Sequence, residues 1–97
     1  MSKAIIGVCT MELDLGGVDS LKIKRSILNS LFKRLQHQFN LTVAEIADQN
    51  EHEVAVIAFA VISNSTAHAN SMVNTIVNWI EAEWNDGNVT DQQIEIL

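Results

Sequence analysis

Five of the chain's six basic residues, Lys22, Lys24, Arg25, Lys33 and Arg34, fall within thirteen residues that hold no acid. The chemistry open to such a cluster is anion recognition. Gly16-Gly17-Val18 precedes it, and Asp19 or Ser20 offers an oxygen to cap a helix that runs to about Phe39. A helix start presents free amides and the positive end of the dipole, so Ser20, Lys22, Lys24, Arg25 and Lys33 could hold a phosphate or an RNA backbone. The segment lacks Gly-x4-Gly-Lys-Ser/Thr and is therefore not a phosphate-cradling P-loop. A second reading of the same residues is a solvated helix face whose cations balance an acidic protein.

Other chemistry is poorly supported. His37, His52 and His68 share no ligand spacing such as His-x3-His, so neither a metal nor another cofactor is expected. No Ser sits in a Gly-x-Ser-x-Gly elbow. Glu81 and Glu83 lie two apart on a predicted helix and point in different directions, against a paired-carboxylate acid and base. Cys9, the single cysteine, falls on an apolar strand face without a charged neighbour and reads as an inert packing residue. Trp79 and Trp84 read as a core edge and a helix-end anchor. The aromatic RNA-stacking signature is missing from the third strand. The chain is therefore expected not to be an enzyme.

Ninety-seven residues bound the chain to one domain with one core. A net charge of −6 opposes whole-surface attraction to DNA or an anionic membrane, so neither is an expected partner. Outside the basic segment one lysine stands against twelve acids. The lone cysteine and the absence of an export pattern at the start predict a cytoplasmic protein.

The elements that must position the cations follow from periodicity. A strand runs from about Ala4 to Leu15, one face carrying Ile5, Gly7, Cys9, Met11, Leu13 and Leu15 and the other turning polar at Glu12 and Asp14. In the first helix Leu21, Leu28, Leu31, Phe32, Leu35 and Phe39 form the buried stripe. Lys22, Arg25, Asn29, Lys33 and Gln36 face water. Asn40 is expected to leave this helix in a left-handed conformation, and Leu41–Ala47 is a second strand. Asp48–Glu53 then leads by a hairpin into Val54–Ser63. Nine successive apolar residues there fit a strand buried on both sides and fall far short of the roughly 20 that a membrane helix needs. Asn64-Ser65-Thr66 caps a second helix with Ala69, Met72, Val73, Ile76, Val77 and Ile80 inward. A turn at Asn85–Asn88 leads to a last strand over Val89–Leu97.

The order β-α-β-β-α-β with right-handed crossovers predicts a ferredoxin-like α+β fold, a four-stranded antiparallel sheet with two helices on one face. Its first and third strands are expected at the centre as a parallel pair. Helices on one side leave the other face of the third strand open. Exposing Ile57, Phe59 and Val61, or alternatively Val54, Val56 and Ile62, would forgo at most roughly 5 to 9 kcal/mol. A homodimer or higher even oligomer packed through this face is expected, with Ala55, Ile57, Phe59 and Val61 as the interface. The alternative is shielding by the last strand and the Asp48–Glu53 loop.

The stretches Gly7–Leu13, Gly17–Ser26, Phe39–Glu45 and Ile94–Leu97 resemble the YlxP-like family, bacterial domain of unknown function 503. Ser20-Leu21-Lys22-Ile23-Lys24-Arg25 is the most specific part. The resemblance implies a ferredoxin-like fold and brings no activity, cofactor or catalytic residue. By association it implies a link to translation or ribosome maturation. A non-enzymatic homo-oligomeric adaptor is therefore expected, docking on a ribosomal particle or translation factor through the basic helix. A sensor of small anions or phosphorylated metabolites is one alternative. Another is self-assembly, with the basic helix pairing to Glu45, Asp48, Glu51 and Glu53 of another subunit.

Overall fold

A computed structural model describes residues 3–97 of the chain. The elements are β1 (Ile5–Asp14), α1 (Leu21–Gln38), β2 (Thr42–Ala47), β3 (Val54–Ser63), α2 (Thr66–Glu83) and β4 (Asn88–Ile96). They form one four-stranded sheet in the order β2-β3-β1-β4, with every neighbouring pair antiparallel. This is the ferredoxin-like arrangement. The central pair is antiparallel and not parallel as expected, because each crossover skips one strand. β1 and β2 run the same way, and β3 returns by a hairpin between them.

Register decides which face the helices cover. Cys9 lies opposite Phe59, Met11 opposite Ile57 and Leu13 opposite Ala55, so the odd-numbered residues of β1 and β3 share a face. All six are buried, together with Leu15 and Val61. From α1 they meet Leu28, Leu31 and Leu35, and from α2 Val73, Ile76, Val77 and Ile80. Gly7 lets α2 approach closely, since a Cβ there would stand 2.7 Å from Val73 Cγ2.

The interface expected at Ala55, Ile57, Phe59 and Val61 is therefore corrected. These four are the floor of the core, and a protein that faced water with them would have no core for its helices to cover. The open face belongs to the even-numbered residues Val54, Val56, Ala58, Ala60 and Ile62, with Ile62 70% exposed.

Helix ends follow local chemistry. Ser20 caps α1 by accepting from the Ile23 amide at 3.1 Å, and Ser65 caps α2 by accepting from the His68 amide at 3.3 Å. α1 ends through an extended Phe39. Asn40 is not left-handed. That conformation is found instead at Asp48, with φ of 58°, in the β2–β3 turn. Trp84 ends α2 and is buried, as an anchor should be. Trp79 is half-buried and meets Phe39 edge-on, with ring centres 5.9 Å apart. Among the described residues no helix is long and apolar enough to cross a membrane.

Candidate functional site

The basic segment does not act as one unit. Lys24 is 1% exposed and sits at the head of the buried stripe that continues through Leu28, Leu31 and Leu35. Its ammonium donates to the carbonyls of Asp48 and Glu51, both at 2.7 Å. Glu45 Oε2 lies 2.8 Å away as an ion pair outside hydrogen-bonding alignment. Glu45 reaches it because it is on the helix-facing side of β2, opposite Ile57. A bulge between Glu45 and Ala47 and the left-handed Asp48 then turn the following carbonyls inward. Lys24 thus clamps the β2–β3 turn to α1.

This changes the anion site expected at the helix start. Ser20 is occupied as the cap and Lys24 points into the protein. The shallow cleft beside the start of α1 is lined by Asp19, Glu51, His52 and Glu53, and its three carboxylates repel an anion there. Glu53 also ties the strand ends together, its carbonyl accepting from the Leu15 amide at 2.7 Å. Glu45 is committed to Lys24 of its own chain, which removes it from the acids proposed to pair with another subunit.

Arg34 is likewise engaged. Its guanidinium lies 4.9 Å from the centre of the Trp79 ring and donates to the Glu83 carbonyl at the end of α2, at 3.4 Å. Lys22, Arg25 and Lys33 remain, exposed on the outer side of α1 around Ser26, Asn29 and Ser30. None of the three has an ion-pair partner among the described residues, where Lys24–Glu45 is the one pair. Eleven residues separate Lys22 from Lys33, so the row is about 16 Å long.

A Ser–His contact escaped the sequence reading. Ser63 Oγ lies 2.9 Å from His68 Nδ1 and accepts from the Ser65 amide at 3.2 Å. It belongs to the start of α2, and no carboxylate orients His68 among the described residues. Cys9 is fully buried and its thiol is pushed up to about 11 by loss of solvent, so it is a poor nucleophile. No three potential metal ligands come together among the described residues.

The family model described as protein of unknown function, DUF503, matches residues 6–94. The chain belongs to that family. It is 26% identical over 78 residues to uncharacterized protein YlxP of Bacillus subtilis (strain 168), spanning 80% of this chain and 85% of that one. Among solved structures, the de novo designed protein Ferredog-Diesel aligns with 98% of this chain and 86% of its own at 13% identity, with a TM-score of 0.40. In this DUF503 chain the Ser20–Arg25 stretch divides by helical phase. Ser20 begins the helix, Lys24 holds the hairpin, and Lys22 and Arg25 face outward.

Proposed function

We propose that this DUF503 protein is a non-enzymatic docking module of the cytoplasm that lays the outer face of α1 on the phosphate backbone of a structured RNA in a ribosomal particle. The observation that carries the reading is the row Lys22, Arg25 and Lys33, exposed and without a carboxylate partner on a protein of net charge −6. A chain with twelve acids has ample means to neutralise three cations, yet these stand apart from them. The acidic remainder then orients the molecule, repelling the RNA from every side but one. The resemblance to the YlxP-like family supports the ribosomal particle as the setting.

Three phosphate contacts predict a slope of about −2 to −3 in log affinity against log salt, or about a 20- to 40-fold loss between 50 and 200 mM. The experiment is co-sedimentation with ribosomal subunits across a salt series, beside the triple variant Lys22→Glu, Arg25→Glu, Lys33→Glu. Saturable binding with this slope, abolished in the folded variant, is the expected result. Equal binding by the variant would remove α1 from the interface.

A further inference from the structure

The sheet face away from the helices has no covering layer. β3 sets Ala58 and Ala60 at its middle, and with Val8 and Ala44 they floor a hollow of about 180 Å³. Around it stand large exposed side chains, Ile62 at 70%, Leu97 at 62% and Ile46 at 51%. Acids share this face along β4, where Glu95 lies opposite Val8 and Asp91 opposite Glu12, and at the end of β1, where Glu12 and Asp14 lie opposite Val56 and Val54 of β3. The face is thus an apolar band over β2, β3 and the first half of β1, with an acidic margin along β4 and at the end of β1.

We propose that this band is the interface of a symmetric homodimer, in which β3 of one protomer stacks on β3 of its partner about a two-fold axis along the strand. Charge selects the axis. Over β3, it sets β1 of each protomer on β2 of the other and leaves both β4 strands overhanging on opposite flanks. β4 is two strands from β3, so the acidic margins stand about 19 Å apart, roughly two Debye lengths at physiological salt. An axis over β4 would set Asp91 and Glu95 against the same acids of the second copy, and one over β1 would set them on the apolar β3. Glu12 and Asp14 fall near the end of the overlap, where water reaches them.

Shape and area agree with this choice. Ala58 and Ala60 lie on the axis, where their small side chains let the two sheets close to the usual ~10 Å. A two-fold interface needs one surface carrying both ridge and hollow, and this face carries both. β3 has ten residues and is about 33 Å long, while three strands span about 14 Å, so the overlap removes on the order of 900 to 1,000 Å² in all. That is the lower limit for a specific interface, and the dimer is accordingly weak. The helices occupy the opposite side of the sheet, so the inference stands independently of the RNA-docking reading.

Sedimentation equilibrium from about 10 µM to about 1 mM tests it, at low and at high salt. The expected result is a monomer–dimer equilibrium within that range that salt does not weaken. Ile62→Asp should abolish it while leaving circular dichroism and melting unchanged, since Ile62 is largely exposed. Gln93→Glu, on the overhanging β4, should leave it intact. A wild-type protein monomeric throughout would overturn the proposal. So would a dimer that survives Ile62→Asp, or one that salt dissociates.

Discussion

Replacing Lys24 by methionine keeps an unbranched stem in the α1 stripe and deletes the ammonium. The two carbonyls lose charge-assisted bonds worth about 1.5 to 3 kcal/mol each. Glu45, with 18% of its side chain exposed, keeps a charge with no partner. Breaking one side of a buried pair costs about 3 to 5 kcal/mol, and partial access of water to Glu45 places methionine near 3. Alanine also removes the stem and should cost about 4 to 5. A domain of this size holds about 5 to 15 kcal/mol, so either change uses a large share. At about 4 to 8 °C per kcal/mol, Lys24→Met lowers Tm by roughly 12 to 24 °C. Urea unfolding followed by circular dichroism and by the fluorescence of Trp79 and Trp84 measures it. Glu45→Gln and the double variant complete a cycle with an expected coupling of about 1 to 3 kcal/mol. A loss below ~0.5 kcal/mol for Lys24→Met would refute the buried clamp, as would strict additivity with Glu45→Gln. RNA docking at a temperature where the variant is folded should be unchanged, because the ammonium faces inward.

Further expectations concern the core and its edges. Cys9 keeps its proton in the folded state to about pH 11, while an unfolded thiol loses it near 9. Between those values the unfolded chain binds fewer protons, so stability falls as pH rises, by up to about 3 kcal/mol. Urea midpoints from pH 8.5 to 11 should show this slope in the wild type and its loss in Cys9→Ala. Gly87→Ala drives a Cβ onto the Asp14 carbonyl and to 2.8 Å from Trp84 Cη2, and thermal melting should register a loss of about 1 to 3 kcal/mol. Arg34→Ala removes the guanidinium from Trp79 and from the Glu83 carbonyl. About 1 kcal/mol is expected in urea unfolding, with a change in tryptophan emission that Lys33→Ala does not produce.

The elements were legible because each changes hydrophobic period where it begins, and both serine caps precede such a change. The helix-covered face of β3 was harder to read, since β3 is apolar on both faces. The deciding signal lies in β1, where Glu12 and Asp14 mark the even face as wet. Antiparallel register then passes that parity to β3. Lys24 had a signal too. It is one turn before Leu28 in the buried stripe, a place where a cation requires partners, and β2 and its turn supply them. Their convergence depends on the Glu45–Ala47 bulge and the left-handed Asp48, which residue types alone do not reveal. The cation row was legible only in part, because the pairing of Arg34 with Trp79 and Glu83 brings together positions 49 residues or nearly as many apart.

The order of strands also sets a timetable for synthesis. β1 is central, yet both of its partners come later in the chain, β3 closing at Ser63 and β4 at Ile96. At about 5 to 20 residues per second, some 2 to 10 s pass between completion of β1 and completion of β3. Through that interval a central strand of the finished protein has two unpaired edges and an apolar face holding Cys9, Met11 and Leu13. A new chain is most open to capture by chaperones, or by another nascent chain, while this strand waits for its neighbours.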